Sequence, residues 1–279
     1  MSYHPLPMAL RAAKPASEHT QKAQAKVREQ LNFADRQSFE DARKGFIATL
    51  EPLTLRRDDG RITYDLEHMS FLDDDAPDTV NPSLWRQAQL NAKHNGLYEV
   101  CDGLYQVRSF DIANMTLIRG NSGWIIIDPL TSSESSAAAL QLANLHLGVR
   151  PVVAVIHTHS HADHFAGVLG VINPADAASG KIAVIAPKDF VKESLNENVL
   201  AGNAMARRST YMYGNLLPPS PTGYVTTGLG AALSMGTTGF IVPNDFVYET
   251  GETRLIDGIE FEFQMTMGTE APSEFVFYL

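Results

Sequence analysis

A short apolar run that opens directly onto a crowd of ligating side chains constrains this chain more than any other feature. Residues 152–170 read VVAVIHTHSHADHFAGVLG. The β-branched run Val152 to Ile156 is the pattern of a buried strand. His157, His159, His161, Asp163 and His164 follow within eight residues. A buried strand that delivers such a set to its C-terminal edge is a metal-site pattern. His159 and His161 stand two apart in extended chain, point to one side and can share one ion. Asp163 and His164 are adjacent, diverge, and suit a second ion close by. Neutral imidazole and carboxylate are borderline-to-hard ligands, matching Zn²⁺, Mn²⁺ or Fe²⁺ sites with a position open for water. The alternative for Asp163 alone is the N-cap of a helix expected from near Phe165. His157 lies outside the core of the motif and reads as structural.

Several blocks carry a resemblance. His159-Ser-His161-Ala-Asp163-His164 resembles the metal-binding motif of the metallo-β-lactamase superfamily. NPSLWRQ at 81–87, THSHADHFAG at 158–167, ENVLAGNAM at 197–205, RRSTYMYG at 207–214 and GTEAPSE at 268–274 are similar to the alkyl sulfatase (type III sulfatase) branch. The similarity runs from Phe33 to the last residue. It implies an α/β chain with the αββα sandwich, its second half incomplete here. It also implies hydrolysis of alkyl sulfate esters, of the dodecyl sulfate type, by water activated at a dinuclear zinc site.

By that resemblance Glu270 stands as a third metal ligand beside His159 and His161, and Asp163 doubles as ligand and orienter of the water. A bridging Glu and a further His, which complete the second position with Asp163 and His164, fall beyond Leu279. A helical dimerisation region and a lipid-carrier-like domain also fall there, so a homodimer is implied for the complete family protein. The expectation is therefore one tightly held ion instead of two, weak or absent turnover, and a first sheet lacking part of its cover. Met267 stands where the family usually has Pro. Arg207, Arg208, Tyr211 and Tyr213 are sulfate-side candidates, since guanidinium and phenol donors suit an oxyanion. Two other readings stay open: a lactonase or thioesterase of the same superfamily, and a non-catalytic metal-binding or interaction module.

Charge and cysteine content narrow the field. With 22 basic against 32 acidic side chains, the net charge of −10 argues against a nucleic-acid partner. The single cysteine, Cys101, excludes an internal disulfide framework and a Cys-only zinc site. It is followed by Asp-Gly-Leu-Tyr, which also excludes the sulfatase chemistry built on a Cys-x-Pro-x-Arg nucleophile. Cys101 is expected to pack as a small hydrophobe under a turn. No apolar stretch is long enough to span a bilayer and no secretory signal is visible, so a cytoplasmic location is expected.

Read in order, residues 1–32 form a flexible lead-in with a polar helix near Glu18 to Leu31. An arm of helix and irregular chain occupies 33–95, with helix pattern over 35–48, a hairpin at Asp59-Gly60 and a short helix after Asn81. From 96 to 279 strands and helices alternate as in one half of a sandwich. Four strands fall between Leu97 and Asp128, followed by a helix over 133–146 and the strands at 152 and 182. A helix-like stretch covers 188–205, and a Gly-, Pro- and Thr-rich loop covers 216–239, a substrate-side candidate. The last strands lie between Phe246 and Leu279. The five histidines outside the motif, His4, His19, His68, His94 and His146, are expected at the surface.

Overall fold

A computed structural model describes residues 13–279. The described part of the lead-in is helical. Helix α1 (Glu18–Gln30) starts at Ser17, whose hydroxyl accepts the Thr20 amide. It buries no side chain and is tied down by Arg28, which meets Asp78 at 3.2 Å and donates to the Ala76 carbonyl. Helix α2 (Gln37–Ala42) is shorter than the 35–48 pattern predicts. At Gly45 the chain takes φ +73° and passes so close to the Glu99 carbonyl that a Cβ would collide with it. The turn leads into β1 (Phe46–Ala48) instead of more helix.

Strands β2 (Thr54–Arg56) and β3 (Ile62–Asp65) form the hairpin expected at Asp59-Gly60. A 3₁₀ helix (Glu67–Asp73) leads to α3 (Pro82–Lys93), where the Asn81 side chain caps the Ser83 amide. Next come β4 (Gly96–Cys101), β5 (Leu104–Arg108), β6 (Met115–Arg119) and β7 (Trp124–Ile127), each antiparallel to the next within this run of four. Helix α4 (Ser133–Leu147) ends at Gly148 with φ +93°. It crosses over to β8 (Val152–Ile156), which runs parallel to β7.

The helix predicted from Phe165 does not form. Two single 3₁₀ turns (Ala162–His164, Val168–Gly170) and α5 (Pro174–Ala178) take its place. The backbone here is engaged elsewhere: Gly167 N–H donates to the Leu130 carbonyl, and the Gly167 carbonyl accepts the Ser136 hydroxyl at 2.6 Å. Strand β9 (Ala183–Pro187) follows, then α6 (Phe190–Leu195), a π turn (Asn196–Leu200) and α7 (Gly202–Tyr213). Residues 214–244 form no helix or strand. They are pinned nonetheless: Ser234 gives its amide and hydroxyl to Asp111, and Thr237 gives both of its own to Glu134.

Strand β10 (Asp245–Val247) closes an eight-stranded sheet in the order β1-β4-β5-β6-β7-β8-β9-β10. A second sheet stacks β11 (Thr253–Ile256), β12 (Ile259–Met265) and β13 (Phe275–Tyr278) in sequence order. Alternation along the strands serves both faces of the large sheet. Trp124, Ile126, Val155 and Val184 join Ala139 and Leu142 of α4 in one core, which also takes in Leu72 and Trp85. Residues 33–95 thus share the main core and are no separate arm. Ile125, Ile127, Ala154, Ile156 and Ile185 face Phe261, Phe263 and Phe275 of the small sheet.

Three expectations are corrected here. Trp124 to Ile127 and Ala154 to Ile156 are all buried, so the first sheet is not short of cover at its centre; three phenylalanines from the small sheet suffice. Cys101 is exposed at the end of β4, where the strand enters the tight turn at Asp102-Gly103 and pairs with Leu104. His94 is buried, with its ring edge-on to Phe39 at 6.0 Å, because α3 packs that end of its last turn against α2. His19, His68 and His146 are exposed, and His4 lies outside the described residues. Among the described residues, no helix is long and apolar enough to cross a membrane.

Candidate metal centre

Strand β7 delivers Asp128, a residue that sequence reasoning missed, to the edge from which the β8 loop also departs. Asp128 takes φ +54°, which turns the chain sharply off the strand. Its carboxylate accepts the Thr158 amide at 2.8 Å, the Thr158 hydroxyl at 2.6 Å and Nδ1–H of His164 at 2.8 Å. Burial alone would raise the Asp128 pKa, but the His164 charge and these hydrogen bonds hold it below its usual value. Burial alone would likewise lower that of His164, but Asp128 and Asp163 together push it up to about 11. Asp163 lies on the other side of the ring, its carboxylate 3.2 Å from His164 Nε2.

The same network settles the tautomer of His159. Thr158 has one hydroxyl proton and gives it to Asp128, so its oxygen accepts Nδ1–H of His159 at 3.0 Å. Nε2 of His159 is left with a bare lone pair. That atom is buried and has no hydrogen-bond partner. Burial, then the charge of His164, lower the His159 pKa, which keeps the ring neutral. A neutral imidazole with its lone pair aimed into a polar gap is what a metal ligand requires.

Facing it is the loop between β12 and β13. The His159 backbone pairs with Glu274, and the Phe275 amide donates to the Thr158 carbonyl at 3.0 Å. The Glu274 carboxylate ties the loop internally, accepting the Thr269 hydroxyl and the amides of Glu270 and Ala271. That brings Glu270 Oε1 to 3.8 Å from His159 Nε2 and 3.8 Å from His161 Nδ1. The three donor atoms all lie within 4.8 Å of one another. Two imidazole nitrogens and one carboxylate oxygen, with an open side, fit a zinc-type ion keeping a position for water. A second group of donors gathers Asp128, His159 and His164.

His157 does not join the ligands. Its ring is buried, stacked on Phe190 at 5.3 Å and 6°, and burial lowers its pKa to about 4. The sulfate-side candidates divide. Tyr213 sits near enough for the Asp163 charge to add to burial in raising its pKa. Tyr211, on the opposite side of α7, is 95% exposed, and Arg207 and Arg208 are exposed as well. A cavity of about 860 Å³ lies between 43–53 and 93–98 and holds none of these side chains. Donor geometry, not cavity size, marks the site.

The metallo-β-lactamase superfamily model matches residues 108–267, from the end of β5 through β12 and including the whole histidine motif. The chain belongs to the metallo-β-lactamase superfamily. It is similar to a linear primary-alkylsulfatase of Pseudomonas sp., with 47% identity over 97% of this chain and 40% of that protein. An alkyl/aryl-sulfatase of Saccharomyces cerevisiae is also 47% identical, over 96% of this chain and 41% of its own length. Among solved structures, the stereoselective inverting sec-alkylsulfatase from Pseudomonas sp. superposes with a TM-score of 0.91 at 45% identity. That match covers 96% of this chain and 42% of the other. The chain thus spans about 40% of the length of the relatives it matches. The α/β sandwich expected from the motif is the fold of this superfamily member.

Proposed function

We propose that this superfamily centre serves the hydrolysis of alkyl sulfate esters, with zinc held by His159, His161 and Glu270. The observation that carries the reading is the orphaned, buried Nε2 of His159 facing Glu270, in a chain 45–47% identical to proteins named alkylsulfatases. A bound zinc ion would supply Lewis acidity toward the sulfate oxygens and toward water. Asp163 and His164 stand at a second position, but His164 is already held on both ring nitrogens by carboxylates. One zinc per chain is expected on that ground.

The remaining groups fit a sulfate ester. Burial opposes ionisation of Asp163, but the hydrogen bond and charge of His164, with a backbone hydrogen bond, together hold its pKa below the usual value, so it can accept a proton from an attacking water and orient it. Tyr213 keeps its phenol protonated and can donate to a sulfate oxygen. Arg207 and Arg208 carry charge of the right sign on the same helix. A cleft of about 490 Å³ beginning at Ala162 and lined by Phe165, Leu195, Val199 and Phe240 suits an alkyl tail.

Elemental analysis and sulfate release test the reading together. Wild-type protein should hold one zinc, and His159→Ala should hold none. Zinc-loaded wild type should release sulfate from a short-chain alkyl sulfate slowly, but above the His159→Ala background. Equal zinc in the two proteins would sink the ligand assignment. Equal sulfate release with zinc bound only to wild type would sink the hydrolase reading.

A further inference from the structure

The imidazole of His161 lies between two carboxylates. Its Nδ1 is 3.8 Å from Glu270 Oε1, the same oxygen that lies 3.8 Å from His159 Nε2. Its Nε2 is 3.8 Å from Glu197 Oε2. The nitrogens that stand nearest Glu270 are therefore Nδ1 of His161 and Nε2 of His159. A neutral imidazole offers one lone pair, so a His161 that ligates through Nδ1 must carry its proton on Nε2, facing Glu197. His159 obtains the opposite tautomer from Thr158 and Asp128, as described above. Among the described residues, His161 Nε2 makes no hydrogen bond, and Glu197 is the carboxylate that faces it.

Glu197 reaches this place because the helical path is interrupted. The π turn closes with the Ala201 amide on the Asn196 carbonyl, and Asn198 donates its side-chain amide to the Ser194 carbonyl at 2.9 Å. An inserted π turn changes the direction of the side chains it carries, and such turns gather at functional sites. The two aliphatic residues of the turn, Val199 and Leu200, are left 68% and 80% exposed, so apolar burial did not select this geometry. The Glu197 side chain, by contrast, is only 26% exposed. Its carboxylate makes no hydrogen bond among the described residues, and it stands about 1 Å beyond a normal N–H···O distance from the ring.

We propose that Glu197 is the positioning residue of His161, accepting Nε2–H and so fixing Nδ1 as the metal-facing atom. The inference rests on the metal-centre reading. Carboxylates that orient a ligating histidine in this way are worth about 10- to 100-fold in metal affinity. Glu197→Ala should therefore weaken zinc binding by that factor, read by competition with a chromophoric chelator. Glu197→Gln, which keeps a carbonyl acceptor, should recover most of it. Because the carboxylate supports no other hydrogen bond, both variants should unfold at the wild-type temperature.

Nitrogen NMR of the imidazole rings separates this role from a merely structural one. In metal-free wild type, His161 should carry its proton on Nε2; Glu197→Ala should mix the tautomers and Glu197→Gln should restore the wild-type form. A wild-type His161 protonated on Nδ1, or unchanged zinc affinity in Glu197→Ala, would overturn the role of Glu197 and leave the metal centre standing. Failure of wild type to bind zinc at all would remove the metal centre, and this inference with it.

Discussion

At the scale of single residues, Asp128 organises more of the site than any motif member. It holds Thr158 by two hydrogen bonds and His164 by a third, and through Thr158 it fixes the proton on His159. Replacing it by Asn keeps the shape and removes the charge that His164 faces. Breaking one side of a buried pair costs on the order of 3 kcal/mol. Disturbing the partners of ligating histidines lowers metal affinity by about 10- to 100-fold. Asp128→Asn should therefore melt several degrees below wild type and bind zinc correspondingly more weakly; calorimetry and chelator competition measure the two effects. Unaltered zinc affinity would mean that the Thr158 relay does not orient His159. The motif itself was legible because its histidines and aspartate crowd into one loop. Asp128 was hidden because a lone acid after an apolar strand carries no periodic signal, and its partners sit 30 and 36 positions away. Glu197 and Glu274 escaped for the same reason: each acts through a contact that only the fold creates.

At the scale of elements, strands and turns were legible where side-chain period and Asp-Gly pairs coincided, as at β4 to β9 and at Asp257-Gly258. Helices were misread where tertiary contacts compete for the backbone, as at Gly167, or where a glycine turns the chain against a neighbour, as at Gly45. The Asp257-Gly258 turn also docks the small sheet on the large one. Asp257 accepts the Ser122 amide and hydroxyl and the Gly123 amide, and its own carbonyl accepts the Asn121 amide. Burial opposes ionisation of Asp257, but those hydrogen bonds lower its pKa below the usual 3.8. A depressed carboxylate stabilises the fold above its unfolded pKa, and that contribution is lost as pH falls through the lower folded value. Docking of the hairpin should thus be full at neutral pH and loosen only in acid. Asp257→Ala should cost about 1–2 kcal/mol at neutral pH, the worth of charged hydrogen bonds at a partly exposed site. Amides of β11 and β12 should exchange faster in the variant, and the acid sensitivity should shrink. Exchange identical to wild type at both pH values would show that the phenylalanine core alone seats the sheet.

At the scale of the whole molecule, the two sheets cover each other well at the centre and poorly at one rim. Strand β13 pairs with β12 on one side only, and among the described residues its sole further backbone tie is the Phe275 amide on Thr158. Phe275 is buried, but Val276 is 45% exposed, Tyr278 61% and Leu279 59%; Leu255 on β11 is 77% exposed. An edge strand that offers unpaired N–H and C=O groups beside apolar side chains is a template for another strand. No lysine or proline lies in Phe275 to Leu279 to blunt it, and the strand is straight enough to pair residue by residue with β12. The overall negative charge opposes association at long range, but screening over about 10 Å at moderate salt removes most of that protection. Self-association should therefore rise with protein concentration and with salt, and Val276→Lys, which places a charge on the exposed face of the edge, should suppress it without unfolding the protein. Sedimentation velocity across a salt series, with amide exchange over 275–279, measures both. A single monomeric boundary at every salt and concentration, with slow exchange along β13 in the monomer, would show that this edge is closed by contacts within the chain.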